Sequence, residues 1–222
     1  MQENGLKMAT QEVQIPKTPK IRKRNPNDPL TREEVSRLIN NTTELEDRTL
    51  FILGFNTGMR VSEIVNIPWV SVDWSEGLIT IWDEKKNRYR RVMLDSYTLN
   101  SLRLWQNAEG GMQEKIFEFS AKTVQSRLQY WSQKTLGKRK SWHCVRHTYI
   151  TLQVIAATPV SIVSDNTGDS PATIYKYYTQ IPPQQKREFV EKGAVYSDVH
   201  KIVSGFSENK TEQLASKLYR SA

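Results

Sequence analysis

The chain holds one cysteine in 222 residues, Cys144, so no disulfide can form within it. A lone thiol suits a reducing compartment, and the expectation is a cytoplasmic protein. Histidine is nearly as scarce, at three residues, which leaves little material for a zinc site built on imidazoles. No apolar run approaches the roughly 20 residues of a membrane-spanning helix, and no secretory signal opens the chain. Hydrophobic residues reach only 37%, yet six Trp, six Phe and nine Tyr supply enough bulk for a core. No internal repeat and no shift of composition divides residues 30–190. The length fits one large domain, or one domain with tails.

Positive charge is what the chain has in excess. Thirty-two Lys and Arg against 24 Asp and Glu leave a net +8, which points to a polyanionic partner. Part of it lies in residues 1–29. PKTPKIRKRNP sets Lys17, Lys20, Arg22, Lys23 and Arg24 among three prolines, too polar to bury itself and expected to stay extended. Such an arm is either a passive linker or a segment that tracks phosphates by displacing their counterions.

Folded structure is expected from Leu30. Thr31 and Glu34 form a capping box, with Leu30 and Val35 as its hydrophobic staple, and Val35, Leu38 and Ile39 continue a helical stripe. LFILGF (50–55) is apolar nearly all round, which places a helix in the centre of the core. Gly58 ends it, and a short helix follows through VSEIVNI. The alternation in LITIWD (78–83), followed by KKNRYRRVMLD, reads as two strands of an antiparallel hairpin with a basic tip. Leu99, Leu102 and Trp105 mark one later helix; Val124, Leu128 and Trp131 mark another, stopped by Gly137. HCVRHTYITLQVIAA forms a helix ending near Pro159, and Ser170 with Pro171 opens one that carries Tyr175, Tyr177 and Tyr178. The fold class is α+β: mostly helical, with one small antiparallel sheet.

Four separated signals carry chemistry. Arg60, in TGMRVSEI, lies at a helix start after a buried helix, where packing and backbone amides suit phosphate binding; a surface arginine in a turn is the plainer reading. HCVRH brings His143 onto one helical face with Arg146 and His147. Histidines four apart can bind zinc, but a cation stands between these two and further ligands are missing, so no metal is expected. Cys144 reads as a small buried hydrophobe. The basic hairpin and the tyrosine cluster complete the set.

In order and spacing, TGMRVSEI, the basic hairpin, HCVRHTYIT and GDSPATIYKYY resemble the catalytic domain of the tyrosine recombinases, or phage integrase family, over about residues 30–182. The resemblance implies a site-specific recombinase or integrase of a virus or other mobile element. It would cut duplex DNA through a 3′-phosphotyrosyl intermediate without metal or cofactor, working as a tetramer on paired sites. It makes Arg60 and Arg146 the two ligands of the scissile phosphate, where developing negative charge needs preorganised guanidiniums. His143 would bind the same phosphate or assist proton removal. Lys85 would protonate the departing 5′-oxygen. Counting back from Val92, Met93 and Leu94 favours Lys85, with Lys86 the alternative. The nucleophile follows the opening glycine by ten residues, which from Gly168 selects Tyr178; Tyr177 points elsewhere on the helix and is expected to pack. Arg88 and Arg90 of the hairpin, with the five cations of the arm, are expected to contact DNA.

Two departures from the family pattern stand out. Asp169 occupies the position where the family usually has a phosphate-binding His or Trp, and an ionised carboxylate cannot donate a hydrogen bond. It could turn away, stay protonated or weaken the site. The expectation is that it turns away and orients Arg146 or another basic neighbour. Where the family usually carries an amino-terminal DNA clamp, only the basic arm precedes residue 30. The chain reads as an excised catalytic fragment, a minimal recombinase, or a product whose clamp lies on another chain. With half the clamp missing, DNA affinity should be low and steeply salt-dependent. Residues 183–222 form a charged tail. Leu214 and Leu218 within KTEQLASKLY either dock on a neighbouring protomer or belong to a frayed end. A type IB topoisomerase, or a DNA-binding relative that has lost turnover, would share most of these features.

Overall fold

In a computed structural model, residues 26–109, 113–178, 187 and 190 are described, Tyr178 by its backbone alone. The cationic arm through Arg24 and nearly all of the 183–222 tail lie outside the described residues. The first helix, α1 (Arg32–Asn41), starts as its capping box predicts. The Thr31 hydroxyl accepts from the Glu34 amide at 3.2 Å, and the Glu34 carboxylate accepts from the Thr31 amide at 3.1 Å. Then come α2 (Leu45–Thr57), the single-turn α3 (Val61–Ile64), and strands β1 (Val72–Asp73), β2 (Leu78–Asp83) and β3 (Arg88–Met93). Five more helices follow among the described residues: α4 (Ser96–Glu109), α5 (Ala121–Leu136), α6 (Trp142–Ile155), α7 (Val160–Thr167) and α8 (Pro171–Tyr178). The α+β class holds, and the sheet is small and antiparallel in the order β1-β2-β3.

Two elements depart from the sequence reading. The sheet has a third strand, a two-residue pairing of Val72 with Ile79 and Asp73 with Leu78, too short to leave an alternating signature. Helix α7 was not anticipated. Its eight residues, VSIVSDNT, are rich in β-branched and Ser/Asn/Asp side chains that disfavour isolated helix. Packing rescues it: Val163 is fully buried with Tyr149, Ile150, Val154 and Ile174 in a second apolar cluster.

Helix α2 centres the main core. Leu50, Phe51, Ile52, Leu53 and Phe55 are all buried, each side chain contributing about 1.5–3 kcal/mol by leaving water. Gly54 lets α6 come close: a Cβ there would stand 2.7 Å from Cζ2 of Trp142, whose indole N–H donates to the Met59 carbonyl at 3.1 Å. Both turns that lead into the candidate site are made by left-handed glycines. Gly58 (φ 65°) closes α2 ahead of Arg60, and Gly168 (φ 72°) closes α7 ahead of Asp169. A Cβ on Gly58 would lie 2.5 Å from Cδ1 of Tyr149. Gly137 has a similar φ of 69° with nothing within 4 Å of the missing Cβ. Gly137→Ala should therefore lose only the backbone term, about 1 kcal/mol, and Gly58→Ala about 2–4 kcal/mol once the clash is added. Urea unfolding midpoints of the two variants check this ordering; equal losses would contradict it.

Candidate active site

The hairpin's register decides which of its charges face inward. Ile79 pairs with Val92, Ile81 with Arg90 and Asp83 with Arg88. Side chains alternate along a strand, so Ile79, Ile81 and Asp83 share one face of β2, and Val92 and Arg90 share the matching face of β3. All five are buried. This corrects the expectation for Arg90, which sits 6% exposed and is not available to DNA. Its guanidinium donates to Glu63 at 2.8 Å and to the Asn166 carbonyl, and lies 3.9 Å from Asp83. Arg88 is exposed. Asp83 is 1% exposed and neither of its carboxylate oxygens makes a hydrogen bond among the described residues. Its charge is compensated at longer range, by Arg60 at 3.7 Å and by Arg90.

Arg60 and Arg146 meet above this layer. Arg60 precedes α3, and the Glu63 carboxylate holds it twice: from the backbone N–H at 2.7 Å and from the guanidinium at 2.9 Å. Arg146 projects from α6 and is 6% exposed. It donates to the Gly58 carbonyl at 2.8 Å and to the Thr167 carbonyl at 2.7 Å, tying both glycine turns to one side chain. Burial pulls the Arg146 guanidinium down from its usual range, and Asp169 pulls it back. Asp169 is the second correction. It does not turn away from the pair. One carboxylate oxygen lies 2.8 Å from Nη2 of Arg146 and the other 3.3 Å from Nη2 of Arg60. It does engage Arg146, as expected, while lying between the two arginines.

The remaining candidates lie around this cluster. Lys85 lines a cavity of about 530 Å3 together with Arg60, Glu63, Trp82, Asp83 and Tyr89. Lys86 is exposed at the hairpin tip and is not part of that lining. His143 is exposed on the first turn of α6, its ring 4.1 Å from that of His147. His147 in turn meets Tyr177 with the two rings near perpendicular, their centroids 5.5 Å apart. Tyr177 packs partly buried against the second apolar cluster, and burial, aided by Asp169, pushes its phenol pKa up against the pull of Arg146. Tyr175 is 59% exposed. Tyr178 ends α8, but its side chain lies outside the described residues. Cys144 is buried, with its thiol donating to the Asp28 carbonyl at 3.1 Å and burial raising its pKa, so it is a packing residue.

Glu63, Asp83 and the inward role of Arg90 escaped the sequence reading. Glu63 had a signal, lying three residues after Arg60 in TGMRVSEI. Asp83 and Arg90 had one too, since each shares strand parity with buried aliphatic residues.

Comparison with known proteins bears on the family and the fold. The model of the phage integrase family matches residues 29–185. The tyrosine recombinase XerC of Xylella fastidiosa (strain 9a5c) is 29% identical over 164 residues, covering 70% of this chain and 53% of the relative. The tyrosine recombinase XerA of Thermococcus kodakarensis is 27% identical, covering 85% and 69%. Among solved structures, a XerA recombinase superposes with a TM-score of 0.66 at 22% identity, covering 76% of this chain and 66% of that one. A lambda integrase dimer bound to a COC′ core site gives 0.57 at 16%, covering 70% and 49%. The chain belongs to the phage integrase family, whose relatives here are tyrosine recombinases. It spans about half the length of the XerC relative.

Burial lowers the His147 pKa, and the neighbouring His143 and Arg146 lower it further. With the folded value below the unfolded one of about 6.5, the unfolded chain binds the proton more readily, so stability falls as pH drops below that value. Unfolding midpoints between about pH 7 and pH 5 should therefore decline less steeply in His147→Gln than in the wild type. Parallel declines would contradict the assignment.

Proposed function

We propose that this chain carries out DNA strand transfer in a site-specific recombinase, cutting and rejoining duplex DNA through a covalent 3′-phosphotyrosyl intermediate. One observation carries the reading: two guanidiniums from distant parts of the chain reach a single anion, at 2.8 and 3.3 Å. Anchored donors converging on one small anion suit a pentacoordinate phosphoryl transition state, because little reorganisation remains when charge develops. In this scheme the Tyr178 oxygen attacks phosphorus and gives up its proton with His143 assisting. The bond to the 5′-oxygen breaks, and Lys85 protonates that oxygen as it leaves. A 5′-hydroxyl from a partner strand then attacks the phosphotyrosine, restoring a phosphodiester and the tyrosine hydroxyl. Each step exchanges one phosphodiester for another, so no nucleotide is consumed, and the arginines do the electrostatic work without a metal ion.

The placement of Lys85 on a cavity shared with Arg60 supports its role over that of Lys86. The packing of Tyr177 against His147 supports Tyr178 as nucleophile. Arg88 and the cations from Lys17 to Arg24 would track flanking phosphates, and a tetramer on paired sites of a mobile element is the assembly we assign. A second reading, a DNA-binding relative with weak turnover, has one observation in its favour: the carboxylate already seated between the arginines.

The test is a nicked suicide duplex incubated with the protein in EDTA. A covalent protein–DNA band should form, persist in Tyr177→Phe and vanish in Tyr178→Phe. A band lost to the chelator, or one that survives Tyr178→Phe, would contradict the mechanism.

A further inference from the structure

The charges around the candidate site cancel. Within 4 Å contacts, the guanidiniums of Arg60, Arg90 and Arg146 face the carboxylates of Glu63, Asp83 and Asp169, three against three. The three carboxylates are not equivalent. The side chains of Glu63 and Asp83 are 5% and 1% exposed and lie beneath the arginines; that of Asp169 is 17% exposed and lies between them. Asp169 is not the sole anchor of either partner. Arg60 is also held by Glu63, and Arg146 by the carbonyls of Gly58 and Thr167. A side chain that takes one donor from each of two arginines already held elsewhere occupies the place of a ligand. Two oxygens of one planar anion, each on a different guanidinium, also match the way two non-bridging oxygens of a phosphodiester would be held.

Resting on the strand-transfer reading, we infer that Asp169 is a resident competitor for the phosphate site: its carboxylate fills the oxyanion position between Arg60 and Arg146 and sets how tightly that site takes phosphate. Two anions cannot share the pair without strong repulsion, so phosphate enters as the carboxylate leaves. The backbone stays put during this exchange. The Asp169 carbonyl accepts from the Ser164 hydroxyl at 2.6 Å, and its amide donates to the Thr167 hydroxyl at 3.3 Å. Rotation of one side chain is enough. Affinity for a lone phosphate is thereby kept low, and productive binding depends on contacts along the rest of the duplex.

The test titrates inorganic phosphate into the full chain by calorimetry at low ionic strength, comparing wild type with Asp169→Asn and Asp169→Ser. The amide preserves shape and removes charge, so Asp169→Asn should bind phosphate about tenfold more tightly, equivalent to about 1.4 kcal/mol. Asp169→Ser should follow the same direction, and adding Arg146→Ala to either should abolish the gain. Affinity equal to or below that of the wild type, in a variant whose melting curve shows it folded, overturns the inference. A parallel suicide-duplex assay separates the two proposals. Tighter phosphate binding with no covalent band in any variant upholds the competitor and sinks the strand-transfer reading. A covalent band with unchanged phosphate affinity does the reverse.

Discussion

The hydrogen bonds of Arg146 hold the candidate site together. This buried guanidinium reaches the carbonyl of Gly58 at the end of α2, the carbonyl of Thr167 at the end of α7, and the carboxylate of Asp169. Each acceptor belongs to a turn that a left-handed glycine makes possible, so backbone conformation and side-chain chemistry are coupled at one residue. Removing a buried charge from such an arrangement leaves its partners uncompensated, which is why the surrounding chain is committed to this geometry.

A layer of opposite charges beneath the arginines supports them. Glu63 links Arg60 to Arg90, and Arg90 donates to the Asn166 carbonyl, joining β3 to the end of α7. Asn166 adds two further ties, accepting from the Met93 amide and donating to the Tyr149 hydroxyl. Hairpin, α3, α6 and α7 are thus connected by polar contacts in the region where the two apolar clusters leave a seam. Buried networks of this kind hold their members in place when their bonds are made. Asp83 has its cationic neighbours among the described residues at the longer distances of 3.7 and 3.9 Å.

Much of this was readable from the amino acids, for identifiable reasons. The capping box at Thr31, the apolar run at 50–55 and the stops at Gly58 and Gly137 are local signals, and the helices form where those signals place them. Arg60, Lys85, His143 and Arg146 became candidates only through the resemblance of their motifs to the family, since each signal is weak alone. Arg90 was misjudged because a run of basic residues suggests an exposed face, while the pairing of Ile81 with Arg90 turns that side chain inward. Helix α7 was missed because its stability comes from partners distant in sequence, Tyr149 and Ile174 among them. Asp169 could be recognised as unusual, but its placement between two arginines depends on the convergence of α2, α6 and α7, which no local pattern encodes.

The proposed chemistry requires Arg60 and Arg146 to serve one phosphate. The most direct measurement is a crystal structure of the protein on a duplex with an intact target phosphate. Both guanidiniums should lie within hydrogen-bond distance of its non-bridging oxygens, with the Asp169 carboxylate displaced from between them. DNA seated elsewhere on the protein, with both arginines still holding Asp169, would contradict it.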